Sequence, residues 1–113
     1  MPLWFARGLR RGIVTTRYPA RPDPSATDLP SPPAFRAGAI DLQQADRLTA
    51  VCPSHALHRD GDMLIFDVGR CTACGRCREA APGAVTPSGE FELAATSREQ
   101  IVKRIGPLKG VRR

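Results

Sequence analysis

The sequence predicts an α+β domain built from a duplicated strand–loop–helix–strand unit. Three observations predict it. Three of the four cysteines fall in Cys71-Thr72-Ala73-Cys74-Gly75-Arg76-Cys77, and the fourth, Cys52, stands upstream before Pro53. A shift of 29 residues lays Cys52-Pro53 over Ala81-Pro82, and Cys71, Cys74 and Cys77 over Leu42, Ala45 and Leu48. Six of the 11 prolines crowd between Pro19 and Pro33, so the compact part is short, about residues 36–95. A core of that size needs a staple, either a disulfide or a metal site.

The chain has 113 residues, a formal charge of +6 and a pI near 9.9. The cations gather at the two ends: Arg7, Arg10, Arg11, Arg17 and Arg21 near the start, and Lys103, Arg104, Lys109, Arg112 and Arg113 near the finish. Such a balance suits nucleic acid, an anionic membrane surface or acidic proteins. With few aromatics to stack bases and no recognition-helix pattern, no nucleic-acid role is expected. No apolar run reaches the length of a membrane span. Arginines interrupt the apolar start, so no secretory signal is read there and a cytosolic chain is expected. In the cytosol, cysteines serve metals more often than disulfides.

The elements follow in order. Residues 2–14 read as an amphipathic helix, because Phe5, Leu9 and Ile13 recur at helical spacing opposite Arg7, Arg10 and Arg11. Gly8 and Gly12 weaken it by roughly 1 kcal/mol each, so it needs a surface, and 1–18 is read as a docking helix. Residues 19–35 form a proline-rich extended strap, excluded from helices and central strands. Ala39-Ile40-Asp41 is a candidate strand, and 43–51 a helix with Asp41 as N-cap and Pro53 as its end. Ala56-Leu57-His58 and Leu64-Ile65-Phe66-Asp67 are strands around the Asp60-Gly61-Asp62 turn. After the cysteine loop, Arg76 to Ala80 is a short helix and Ala84-Val85-Thr86 a last strand. Residues 96–113 are expected as a basic helical tail. Thr96 or Ser97 caps it, Ser97-x-x-Gln100 forms a capping box, and Ile101, Val102 and Ile105 form its apolar face.

The cysteine spacing carries the chemistry. A C-x2-C-x2-C run with a remote Cys-Pro is how bacterial ferredoxins hold a 4Fe–4S cluster, and in two-cluster proteins the fourth cysteine of each run serves the other run's cluster. Cys52, Cys71, Cys74 and Cys77 therefore make one complete site. Tetrahedral zinc also takes four thiolates, more often from two separated C-x2-4-C pairs, and iron, sulfide and zinc content separates the two readings. The repeat adds meaning. The other site would consist of Leu42, Ala45, Leu48 and Ala81, with no ligand among them. The chain reads as a two-cluster fold that keeps one cluster, its lost positions filled by apolar side chains as close packing requires.

The chain resembles the ferredoxin-like iron–sulfur subunit of formate hydrogenlyase and related membrane-bound NiFe hydrogenases, a family itself similar to the two-cluster subunit of respiratory complex I. The resemblance rests on Gly12-Ile13-Val14-Thr15-Thr16-Arg17-Tyr18-Pro19, Phe35-Arg36-Ala37-Gly38, Gly69-Arg70-Cys71-Thr72-Ala73-Cys74-Gly75-Arg76-Cys77 and Glu90-Phe91-Glu92-Leu93-Ala94. It implies a bacterial ferredoxin-like pseudo-repeat with an N-terminal amphipathic helix, a proline-rich strap and a C-terminal helical tail. It also implies an electron-transfer subunit, peripheral on the cytoplasmic side of the cell membrane. Such a subunit relays single electrons through one 4Fe–4S cluster between an iron–sulfur small subunit and a large catalytic subunit, and has no substrate site of its own. The family usually has eight cysteines, and its Cys-Pro-x-x-Ala-Ile segment is one residue shorter here, as Ala81-Pro82-Gly83-Ala84-Val85. Two other readings stand beside the relay: a structural or assembly subunit whose cluster only stabilises the fold, and a free soluble ferredoxin.

Gly75, Arg76 and Pro53 are candidates for tuning the cluster. Gly75 lets the loop wrap and expose N–H groups to sulfur. Arg70, Arg76 and Arg78 either favour the reduced state or sit on the solvated surface. His55 and His58 are not needed as ligands, although His55 is near Cys52. Glu90 and Glu92 read as solvated or partner-facing. No Ser–His–Asp set, phosphate loop or paired carboxylate site stands out, so no catalysis is expected.

Overall fold

The computed structural model describes residues 3–12, 17–24 and 28–110. Helices combine with antiparallel sheets in an α+β fold. The first helix, α1 (Leu3–Arg11), buries none of its residues. Ile13 and Val14 of the expected helix lie outside the described residues. Strand β1 (Pro33–Phe35) follows the strap, with Pro33 at its first position, where a missing N–H is tolerated. A 3-10 turn at Ala37–Ala39 then takes the place of the strand expected at 39–41, where only an isolated bridge from Asp41 to Lys109 forms.

Helix α2 (Leu42–Val51) starts on Asp41, whose carboxylate accepts from Gln44 N at 2.7 Å while Gln44 Oε1 accepts from Asp41 N at 3.1 Å. This reciprocal box satisfies two N–H groups that a helix start leaves orphaned. Strands β2 (Leu57–Asp60) and β3 (Met63–Asp67) form a hairpin about Gly61, whose φ of 58° is the left-handed region glycine enters without strain. Helix α3 (Arg76–Ala80) and strand β4 (Val85–Pro87) follow, and β4 pairs antiparallel with β1.

Among the described residues the expected C-terminal helix is absent, and residues 111–113 of that tail lie outside them. A 3-10 turn at Arg98–Ile101 leads into strand β5 (Val102–Ile105), which pairs antiparallel with β3. The polar signals for a helix start are satisfied locally, since Thr96 N and Oγ1 both donate to Gln100 Oε1. The apolar residues at 101, 102 and 105 fit a strand as readily as a helix, and β3 offers an unpaired edge whose N–H and C=O groups need partners. The tail then crosses the β2–β3 turn so closely that a Cβ on Gly106 would strike Met63 Sδ and the Asp62 carbonyl. Leu108 N donates to Asp62 O at 3.0 Å, Lys109 N donates to Ile40 O at 2.8 Å, and the Leu108 side chain is buried.

One core lies between the two sheets and α2. Ile40, Ala45, Leu48, Leu64 and Phe66 are fully or almost fully buried, joined by Leu57, Ala81, Ala84, Val85 and Leu108. Phe35 and Phe66 meet edge to face with centroids 5.0 Å apart, a favoured ring geometry. Each phenylalanine also sits opposite an aliphatic partner, Phe35 against Val85 and Phe66 against Leu57.

Candidate metal centre

The cysteine loop hangs from β3. Asp67 ends that strand and caps the 3-10 turn Val68–Arg70 through its Oδ1, which accepts from Gly69 N at 2.9 Å. Its Oδ2 accepts from Arg98 Nη2 at 2.5 Å and lies 3.5 Å from Arg70 Nε. The turn closes when Cys71 N donates to Val68 O. Gly69 lies close beneath the tail, where a Cβ would come within 2.8 Å of Ile101 Cδ1 and push that side-chain tip aside.

From Cys71 the backbone wraps. Ala73 and Gly75 both take positive φ, 52° and 83°. Left-handed residues next to right-handed ones build nests of N–H groups, which recur at anion and iron–sulfur sites. Ala73 N donates to Cys71 Sγ at 3.4 Å. Gly75 is the N-cap of α3, and a Cβ there would lie 3.1 Å from Arg78 Nη2. Cys77 falls in the first turn of α3.

Cys52 reaches the same place from the other half. It is the C-cap of α2, and Pro53 stops the helix there. Its Sγ lies 3.6 Å from Ser54 Oγ. His55, another non-glycine residue at positive φ (51°), turns the chain so that its N–H donates to Cys52 O. The N–H groups of Ser54, Ala56 and Leu57 are aimed at the Cys52 sulfur.

All four cysteines line one cavity, together with Ser31, Pro33, Ser54, Phe66, Ala73, Gly75, Arg76 and Arg78. The atom-free space between these walls, solvent at the mouth included, is about 430 Å³. Cys52, Cys71 and Cys77 pack against the core, whereas Cys74 is exposed at the rim. Burial pushes the Cys71 thiol up, Ala73 N–H opposes it, and the charges of Cys52 and Cys74 push it up further. Cys77 is raised first by burial, against the N–H of Arg78, and then by the charge of Cys71. Burial also pushes Cys52 up, but the Ser54 hydroxyl and the three N–H groups together outweigh it and leave that thiol below its ordinary value. The sulfurs thus repel one another as thiolates and gain from a shared cation.

Four thiols, the Ala73 N–H and a cavity between them are the parts that an iron–sulfur cluster would use. Among the described residues no three His, Cys, Asp or Glu side chains gather closely enough to hold a metal ion.

Other residues distribute as follows. Arg76 lines the rim, whereas Pro53 is exposed and does not line the cavity. His55 and His58 are exposed and also lie outside the lining. Arg70 turns to Asp67. Glu90 pairs with Lys103 at 3.4 Å and Glu92 accepts from Tyr18, so each has a partner within the chain. Of the four positions that the sequence repeat assigns to a second site, Ala45, Leu48 and Ala81 are buried in the core, but Leu42 is 39% exposed. Ile40 stands after its 3-10 turn as Cys71 stands after its own, its N–H donating to Ala37 O, and is fully buried. Ser31, Ser54 and the Asp67–Arg98 pair carried no signal in the sequence, because their roles depend on the paths of the strap and tail. No protein-family model matches the chain, and no curated protein matches it.

Proposed function

We propose that the chain is a ferredoxin-like electron-transfer subunit of a membrane-associated hydrogenase or complex-I-like respiratory complex, holding one 4Fe–4S cluster on Cys52, Cys71, Cys74 and Cys77. The observation that carries this reading is the single cavity onto which Cys52 and the Cys71–Cys77 loop converge from opposite halves. The cluster supplies one-electron oxidation and reduction; the chain positions it, insulates it and sets its potential.

The backbone supports the ferredoxin-like pseudo-repeat. Asp67 N donates to Ala56 O at 2.8 Å, and Arg36 N donates to Ala84 O at 2.9 Å. Each bond joins the residue after a central phenylalanine to the end of a Cys-Pro or Ala-Pro turn, Ala56 just past its turn and Ala84 as the last residue of its own. Those turns close alike, with His55 N donating to Cys52 O and Ala84 N to Ala81 O. The second is one residue shorter, and the ladder absorbs the difference.

Within this reading each part has work to do. Core packing of Cys52, Cys71 and Cys77 keeps water from three corners of the site. The N–H groups of Ala73 and of Ser54, Ala56 and Leu57 stabilise negative charge on sulfur and hold the potential up. Among the described residues no helix is long and apolar enough to cross a membrane, so membrane association falls to α1 and to partner subunits.

Anaerobic purification, metal and sulfide analysis, and electron paramagnetic resonance after reduction test the proposal. Iron and sulfide in equal amounts with a low-spin signal on reduction are expected, as is loss of both in Cys74→Ser. Zinc without iron overturns the cluster. A Cys74→Ser protein that lacks the cluster yet leaves its complex fully active overturns the relay and leaves a bracing role.

A further inference from the structure

The cysteine cavity has one exposed corner. Of the four cysteines, three pack on the core and only Cys74 is exposed. Electron transfer weakens steeply with the thickness of intervening protein, so that corner is the shortest way in or out. The charged residues that line the cavity are both arginines, while Glu79, the one carboxylate of α3, lies outside the lining. Arg76 and Arg78 are exposed and line the cavity mouth, and Arg78 lies over Gly75 between Cys74 and Cys77. Arg70 nearby is balanced by Asp67, which it shares with Arg98. Among the described residues no ion pair engages Arg76 or Arg78, and the cavity lining contains no carboxylate. Two unpaired guanidinium groups beside a redox site form a local positive field, which steers negative partners and raises their encounter rate.

We propose that Cys74 marks the electron port, and that Arg76 and Arg78 make it a dock for the acidic face of a redox protein. This rests on the cluster reading above and adds the place and sign of the contact. Arginine suits the task, since its fork grips carboxylates with two parallel hydrogen bonds.

The test uses the cluster-loaded full chain, reduced with dithionite and mixed in a stopped-flow instrument with one of two cobalt(III) oxidants. One is the tris(oxalato) anion, the other the hexaammine cation. In each reaction one electron leaves the reduced protein and one cobalt(III) becomes cobalt(II). The anion is expected to react faster, and salt to narrow the gap. In Arg76→Glu/Arg78→Glu the anion-to-cation rate ratio should fall by about tenfold; because it is a ratio, a shift in potential cancels. A second readout is binding. Poly-L-glutamate should bind the wild-type chain in calorimetry and slow the anionic oxidant, and should bind the double variant about tenfold more weakly.

A loaded chain whose ratio does not move in the variant overturns the port and leaves the cluster reading intact. Protection by phosphatidylglycerol vesicles but not by poly-L-glutamate also overturns the protein dock, and assigns the arginines to lipid. A chain that takes up no iron overturns the cluster reading itself, and the port with it.

Discussion

Tyr18 is the chain's single tyrosine, which makes the latch between strap and body measurable. Its hydroxyl donates to Glu92, and its ring packs on Phe91 with centroids 5.4 Å apart. The bond to Glu92 holds the phenol proton, desolvation and the Glu92 charge act the same way, and the pKa rises above its ordinary value near 10.0. The sign follows from the proton. The folded value exceeds the unfolded one, so the latch is complete below the ordinary tyrosine value and is lost as pH rises through the raised one. Phenolate absorbance should therefore develop later than in a free tyrosine, and Glu92→Gln should bring its midpoint down; equal midpoints would remove the latch. Asp67 offers the complementary case, a nearly buried carboxylate holding Arg98, Arg70 and the Gly69 N–H. Asp67→Asn should cost about 2 kcal/mol in urea unfolding, since hydrogen bonds to charge are the strong ones. Arg98→Ala should cost less, because that arginine is half-exposed and Asp67 keeps its other partners.

Among the elements, α1 stands apart. Leu9 is 72% exposed with Phe5 exposed beside it, opposite Arg7, Arg10 and Arg11, while Trp4, 71% exposed, borders that apolar face one heptad before Arg11. An exposed apolar face opposite arginines suits a membrane interface or a protein partner. Trp4 is the only tryptophan, so its fluorescence should shift to the blue with phosphatidylglycerol vesicles, less at high salt, and not with phosphatidylcholine. Leu9→Glu should abolish the shift, whereas an unshifted wild-type spectrum at low salt would give the helix to a protein partner. The elements also show what a sequence can and cannot carry. Helix α2 was legible because its signals are local: Asp41 begins it and Pro53 ends it. Helix α3 was legible for the same reason, between Gly75 and Pro82. The meeting of the four cysteines at one cavity was legible because their spacing is itself a constraint. Strand β5 was not, because Ile101, Val102 and Ile105 fit either period and the deciding fact, the open edge of β3, lies some forty residues away. Strand β1 was hidden for a similar reason: Pro33 argued for strap until the pairing with β4 placed it at a strand's first position.

At the scale of the whole molecule, the two halves share a ladder but differ in the stretch that matters for metal. Around Cys71 the backbone forms a loop with two left-handed residues before α3 begins at Arg76. Among the described residues of the other half no such loop exists. The Asp41–Gln44 box starts α2 at Leu42, so the three residues lying over Cys71, Cys74 and Cys77 are all helical. Ala45 and Leu48 point into packed core. On the two-cluster reading proposed above, the second site is rebuilt, not merely stripped of its thiols, and restoring thiols should not restore it. Leu42→Cys/Ala45→Cys/Leu48→Cys/Ala81→Cys should still hold roughly four irons per chain, those of one cluster. Three thiols along one helix present no inward N–H groups, and the box that favours the helix is worth about 1 kcal/mol. Loop geometry is the missing part, so supplying it should reverse the result. Replacing residues 37–48 with a copy of 68–77, in a chain that also carries Ala81→Cys, should raise the content to roughly eight irons. Iron analysis reads both variants, and the resident cluster's own signal reports whether each has folded. Eight irons in the four-cysteine variant would mean that α2 melts readily into a loop, and that ligand loss alone had emptied the site.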